Sequence, residues 1–188
     1  DNNLIIRDVK FSFHERTFGL DTFAVFFSIF CFLVFINAFN MFDGINSQAG
    51  LLAIIILLVL LFVGVKKELI YSLVVPLCLF LVFNFSGKMF LGNTGSLLIS
   101  TILSLMLILS YKENKLFADE IVLLLIFPGL DMLRLFITRI LQNKNPFSAD
   151  ANHLHHLIIK KNSLGFTLFL TTGLQGIIFF AYFLLDIN

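Results

Sequence analysis

The chain has 188 residues, of which 59% are hydrophobic and only 13% charged, with a mean hydropathy of +0.97. A water-soluble domain of this size could not hide so much apolar surface, which excludes soluble classes and indicates an integral membrane protein. The formal net charge of +1 signals no polyanionic partner, and no pattern of basic residues interleaved with aromatics indicates nucleic acid.

The first residue is Asp1 rather than Met, and no signal-peptide pattern follows it. The chain therefore reads as a fragment of a longer polytopic protein, with one membrane domain over 1–188. In residues 9–14, V-K-F-S-F-H alternates apolar and polar positions, the period of a strand. With residues 4–6 and a turn near Gly19, this predicts a small surface β-hairpin within 1–20. A helical bundle follows over 22–188. A bilayer core needs about 20 apolar residues in helical form, and the runs 22–42, 48–65, 69–86, 96–111, 120–140 and 166–185 are read as spans. They are too long and uniform for barrel strands, so the expected fold is an all-α integral membrane protein with about six transmembrane helices. The loops are short except for 141–165. Cys31 and Cys78 sit far apart within apolar runs and read as core residues without metal-binding spacing.

Six alternating spans place the ends of the first, third and fifth helices on one membrane face. That face collects Asn37, Asn40, Asp43, Asn46, Asn93, Ser96 and the histidines. Basic residues do not orient it: six Lys and Arg fall on this face and seven on the other, a difference too small for the positive-inside rule to act on.

Three segments on the shared face carry polar groups. In N-A-F-N-M-F-D-G-I-N, Asn37, Asn40 and Asp43 recur every three residues and fall near one helix face. A carboxylate at the end of a membrane helix is costly unless it faces a polar cleft. Gly44 permits a turn or close ligand approach. Alone, the stripe is also compatible with a capped helix end. In K-M-F-L-G-N-T-G-S, Gly92, Gly95 and Ser96 open the fourth helix, where free N–H groups suit phosphate, though the lysine of a P-loop is absent. A simple capped turn fits equally. The third segment is N-K-N-P-F-S-A-D-A-N-H-L-H-H-L. If 151–161 is helical, with Ser148 or Asp150 as cap, His153 and His156 share a face and His155 points elsewhere. The histidines could bind metal, contact phosphate or move protons; zinc would want further ligands. Asp131 and Arg134, three residues apart, read as a structural ion pair within the fifth helix.

Together these segments resemble the polyprenyl-phosphate N-acetylhexosamine-1-phosphate transferases, in the undecaprenyl-phosphate GlcNAc-1-phosphate transferase-like branch. That family's pattern runs N-x-x-N-x-x-D-G, then F-x-G-D-x-G-S, then P-F-S-x-D with H-x-H-H. Here these appear in order at 37–44, 90–96 and 146–156. The P-F-S-x-D approach is similar to enzymes that start O-antigen, enterobacterial common antigen or teichoic acid carriers, rather than to the phospho-MurNAc-pentapeptide branch. The resemblance implies transfer of a sugar-1-phosphate from a UDP-N-acetylhexosamine to undecaprenyl phosphate, with release of UMP. It implies Mg²⁺, with Mn²⁺ as an alternative, and a multi-pass protein of the bacterial inner membrane with its active face cytoplasmic. A homodimer is compatible. It further implies that Asp43 belongs to a catalytic, metal-proximal cluster ordered by Asn37 and Asn40. Gly44 and Asn46 would lie near uracil, Phe90 would stack on it, position 93 would ligate the metal, and His153, His155 and His156 would contact the diphosphate. Gly95 and Ser96 belong to the implied substrate-binding set.

Four departures from the pattern stand out. The family's upstream acidic pair is not within this chain, which alone is expected to be inactive. Asn93 and Asn46 replace common aspartates, and Ala151 stands where an arginine is common. An amide keeps an oxygen ligand but loses its charge, so weaker Mg²⁺ binding, or a metal held by other acids, is expected. Two other readings are a degenerate relative that still binds lipid phosphate or nucleotide, and a transporter using Asp43, Asp131 and the histidines; the latter lacks paired broken helices and inverted repeats, though Pro128-Gly129 could break the fifth helix. The sugar is not legible: GlcNAc is the default, with QuiNAc, FucNAc and GalNAc compatible.

Overall fold

The computed structural model describes residues 4–145 and 153–186. Strands β1 (Asp8–Phe11) and β2 (His14–Gly19) form an antiparallel hairpin with Val9 opposite Phe18. Helices follow as α1 (Ala24–Phe42), α2 (Gln48–Phe62), α3 (Lys67–Phe85), α4 (Gly92–Lys112), α5 (Ala118–Leu124), α6 (Ile126–Leu141), α7 (Leu154–Ile159) and α8 (Leu164–Leu168). A π-helical turn (Phe169–Gly173) joins α8 to α9 (Leu174–Asp186).

The hairpin is present, but its turn falls at Ser12 and Phe13 rather than near Gly19, and residues 4–6 do not join it. The alternation of 9–14 runs straight through the turn, and β2 carries little apolar patterning of its own. The hairpin is fastened to helix ends by side-chain bonds. Tyr111 Oη donates to the Asp8 carbonyl and accepts from Lys10 N–H, both at 2.7 Å. Asp119 accepts from Ser12 N–H at 2.9 Å and from Ser12 Oγ at 2.6 Å, and Tyr182 Oη donates to the same carboxylate at 2.8 Å. These residues sit at the end of the bundle away from Asp43.

Among the described residues four helical stretches are long and apolar enough to cross a membrane: Asp21–Phe42, Lys67–Phe85, Gly92–Lys112 and Leu164–Leu185. The α5–α6 pair qualifies only as one span bent by 75°, which makes five. The second predicted span, 48–65, is realised as α2, of only 15 residues. At 1.5 Å per residue it is about 22 Å long, short of a hydrocarbon core of about 30 Å. It has no need to face lipid, because Ala49, Leu52, Ala53, Ile56 and Leu60 are fully buried among α1, α3 and α4. With no water to exclude, helices in a bilayer associate through close packing of small residues and interhelical bonds. Ser96, Ser100 and Ser104, all buried and four residues apart, run along α4, the main partner of α1. Of the cysteines, Cys31 is half-buried but Cys78 is exposed on α3, correcting the expectation of two core positions.

The bend between α5 and α6 has a local cause. Pro128 has no N–H to pair with the carbonyl four residues earlier, and its ring crowds that carbonyl. The carbonyl is that of Leu124, and it accepts instead from Gln175 Nε2 on α9. Gln175 is 1% exposed. Replacing it with Leu leaves a buried carbonyl unpaired, with an expected loss of about 1–3 kcal/mol, seen as a lowered unfolding midpoint in detergent.

Candidate active site

The polar end of α1 is built from its last turns. Asn40 accepts a short hydrogen bond from Ser96 Oγ, which joins the first segment to the start of α4. Ser96 is fully buried and also reaches the Asn93 carbonyl at 3.2 Å. Asn37 is exposed, and its amide closes on its own helix at the Leu33 carbonyl, 2.7 Å away. Asp43 ends α1 half-buried. Its carboxylate has no hydrogen-bond or ion-pair partner among the described residues, and burial pushes its carboxyl up to about 6.

Gly44 packs against the histidine segment. A Cβ placed on it would overlap the His155 imidazole, with Cε1 at 2.6 Å and Cδ2 at 2.9 Å. The predicted helix 151–161 begins only at Leu154, and His153 precedes it with ψ 147°. That shift overturns the expectation that His155 points away. The ring of His155 is 1% exposed and lies 5.2 Å from His153, 4.4 Å from His156 and 6.3 Å from Phe42, edge-on to the last. Burial first, then the neighbouring His156 and His153, holds its imidazole down at about 3, so it is neutral near pH 7. His156 is lowered by the same burial, with His153 and Lys160 adding to it.

The third junction arrives by a residue that sequence reasoning missed. α3 ends through Gly87, whose φ of +69° lets the chain turn back: Lys88 N–H reaches the Phe83 carbonyl and Gly87 N–H the Asn84 carbonyl, both at 2.9 Å. Asn84, 6% exposed, accepts from Ser47 N–H and donates to the Met89 carbonyl, both at 2.5 Å. One amide thus holds the 43–47 loop against the 86–91 loop, and Asn46 Nδ2 comes to Gly87. The available signal was an amide near the end of an apolar run, the same signal that marks Asn37 and Asn40. Phe90 is 73% exposed, Asn93 is exposed, and Gly95 packs on Leu91. Three contacts therefore join the polar segments: Asn40–Ser96, Gly44–His155 and Asn46–Gly87. Asn37, Phe90 and the Asn93 side chain stay at the surface. The P-F-S-x-D motif, its candidate caps Ser148 and Asp150, and Ala151 lie outside the described residues.

Several buried polar atoms here have no partner among the described residues: Ser47 Oγ, both amide atoms of Gln48, and both ring nitrogens of His155. Such groups cost free energy unless something polar meets them. Alongside, an apolar cavity of about 380 Å³ runs between α1, α4 and the α5–α6 bend, lined by Phe32, Phe35, Ala38, Phe39, Leu107 and Leu133.

A bundle of apolar helices with amides, the half-buried Asp43 carboxylate and stacked imidazoles gathered at one end defines a multi-pass membrane protein with a polar cluster at one end of its bundle. The chain belongs to glycosyl transferase family 4, whose model matches residues 3–111. It is 36% identical over 145 residues to an undecaprenyl-phosphate alpha-N-acetylglucosaminyl 1-phosphate transferase of Thermotoga maritima, covering 77% of this chain and 46% of that protein. The enzyme of the same name in Escherichia coli O157:H7 is 29% identical over 178 residues, covering 88% and 48%. A probable undecaprenyl-phosphate N-acetylglucosaminyl 1-phosphate transferase of Bacillus subtilis is 38% identical over 133 residues, covering 65% and 37%. The chain spans about half the length of the first two of these relatives or less.

Proposed function

We propose that this chain forms the nucleotide- and phosphate-handling part of an enzyme that transfers an N-acetylhexosamine-1-phosphate from a UDP-sugar to undecaprenyl phosphate, releasing UMP. The observation that carries the reading is the packing of Gly44 on His155, beside the Asn40–Ser96 bond. It brings motif segments distant along the chain into contact. The relatives' names supply the acceptor and the sugar phosphate. Unpartnered Gln48, Ser47 and His155 offer donors and acceptors to a nucleotide diphosphate. The apolar cavity reaches Ala38 and Phe39, one turn before Asp43, and suits the polyprenyl chain. In this reading α2 is a sixth membrane segment enclosed by the others, the protein sits in the bacterial inner membrane, and the Asp43 end faces the cytoplasm, where nucleotide sugars are made.

The donor set fits Mg²⁺. That ion binds through one or two carboxylates and completes its shell with water and substrate phosphates. Asp43, desolvated and without a cation, offers the carboxylate, and Asn93 offers an exposed neutral oxygen. When bound, the metal would neutralise charge on the diphosphate. The protein's own share is to hold Asp43 through Asn40 and Ser96, to keep His155 neutral, and to lay the histidine segment over the pocket.

The test is UMP release by the complete protein in membranes supplied with UDP-GlcNAc and undecaprenyl phosphate. Release that needs both substrates and stops with EDTA is expected. Nucleotide binding without release, with turnover appearing only after Asn93→Asp, would instead mark a degenerate binder.

A further inference from the structure

Helix α7 has six residues and no side chain of its own at its N-cap. The first N–H groups of any helix need acceptors from elsewhere. Asp131, on α6, supplies them in trans. Its Oδ1 accepts from Leu154 N–H at 3.0 Å, and its Oδ2 accepts from His153 Nδ1 at 3.0 Å. Arg134, one turn along α6, donates to Oδ1 through Nη2 at 2.8 Å and Nε at 3.2 Å. The Asp131 side chain is 4% exposed, and such a carboxylate is tolerated because the guanidinium and these donors surround it. The pair read from sequence as a structural bridge therefore has a second set of partners, 22 and 23 residues away along the chain.

Asp131, His153 and His155 each bring one ligand atom within 4.8 Å of the others, a spacing that invites a cation. The hydrogen bonds favour a different role. Oδ1 is engaged by Arg134 and Leu154, and Oδ2 by His153. A carboxylate that holds a histidine by its ring N–H orients that ring rather than ligating beside it. Because a carboxylate can only accept, Nδ1 of His153 carries the hydrogen, and Nε2 is the nitrogen left for a substrate.

We infer that Asp131, backed by Arg134, is a positioning residue of the phosphate-handling site. It sets the tautomer of His153 and docks the histidine segment on the bundle, so that the adjoining His155 rests on Gly44. The role rests on the proposed transferase reading for its consequence in turnover, but not for its geometry.

Asp131→Asn keeps size and one acceptor, yet presents Nδ2 to His153 and so reverses the ring to the Nε2–H tautomer. Two readouts on the complete protein decide the matter. Histidine ¹⁵N spectra in micelles report the tautomer whether or not the protein turns over, and UMP release reports rate. The expected result is a switch of the His153 signals, with kcat lowered about 10–100-fold and KM for the UDP-sugar little changed. Arg134→Lys keeps the charge but loses one of the two donors to Oδ1, so the tautomer is expected to hold while kcat falls less than in Asp131→Asn. Should the amide variant not fold, Asp131→Glu keeps the Nδ1–H tautomer and lowers kcat by displacing the ring. An unchanged tautomer or unchanged kcat in Asp131→Asn overturns the inference. So does a tetrahedral Co²⁺ absorption in the wild type that Asp131→Asn abolishes, since Asp131 would then be a ligand. A wild type that releases no UMP refutes the transferase reading, while the spectra still decide the positioning role.

Discussion

Asp43→Asn is expected to lower turnover by about 10²–10⁴-fold while making the protein harder to unfold above pH 6. Both effects come from one feature. Asp43 is half-buried, lacks a partner among the described residues, and has its carboxyl pushed by burial from 3.8 up to about 6. With the folded value above the unfolded one, the native state binds the proton more tightly. The group's contribution to stability is full below pH 3.8 and is lost as pH rises through 6. Above that point the wild type holds a desolvated charge that the amide does not. The midpoint gain of the variant should therefore be absent at pH 4 and amount to a few degrees at pH 8, modest because the group is partly solvated. Added Mg²⁺ should raise the wild-type midpoint at pH 8 and leave the variant unmoved. His155 works in the opposite sense. Its value, held at about 3 against an ordinary 6.5, gives stability that is present above pH 6.5 and lost as pH falls toward 3. Parallel stability curves for wild type and Asp43→Asn across this range would refute the account of Asp43, as would full activity in the variant.

Helix existence was legible because hydropathy runs between charges are long. The gathering of the three polar junctions was read from the parity of six predicted spans, of which the described residues give four, or five with the bent pair. What was not legible has local physical causes. The second span overran because hydropathy continues past Phe62, while Gly64, with φ +76°, stops the helix: Val65 N–H reaches the Leu60 carbonyl at 2.9 Å and Gly64 N–H that of Leu61 at 3.2 Å. Pro128-Gly129 signalled a break in the fifth span, but the partner that takes the freed carbonyl, Gln175, lies 51 residues away and no local pattern names it. Asp131 and Arg134 announce their pairing by spacing, but the second carboxylate oxygen is spent on His153, 22 residues away. His155 was misjudged because His153 was given a helical phase although it precedes the first helical residue, Leu154. Asn84 escaped because the glycines beyond it carry the stronger turn signal. For Gln175, Asp131 and Asn84 the missing information is long-range, whereas periodicity reports only which face a residue occupies.

The same long-range contact gives the second large effect. Gly44→Ala should cost about 1–3 kcal/mol in stability and about 100-fold in turnover, although Gly44 itself is exposed and its conformation does not demand glycine. The added methyl enters the space of the His155 ring, and that ring has nowhere to go. Phe42 meets it edge-on, His156 lies at 4.4 Å, and His153 stacks beside it while tied to Asp131. Moving His155 therefore moves the histidine segment relative to Asp43, and a shift of about 1 Å between reacting groups suffices for the loss of rate. A double-variant cycle separates the clash from any general weakening of the loop. His155→Ala empties the space, so the pair Gly44→Ala with His155→Ala should recover stability, with a coupling of about 0.5–3 kcal/mol. Turnover should not recover in the pair, because the imidazole that would face the diphosphate is gone. Additive stabilities would mean that Gly44 and His155 do not touch, and the convergence of the first and third segments would fall with them.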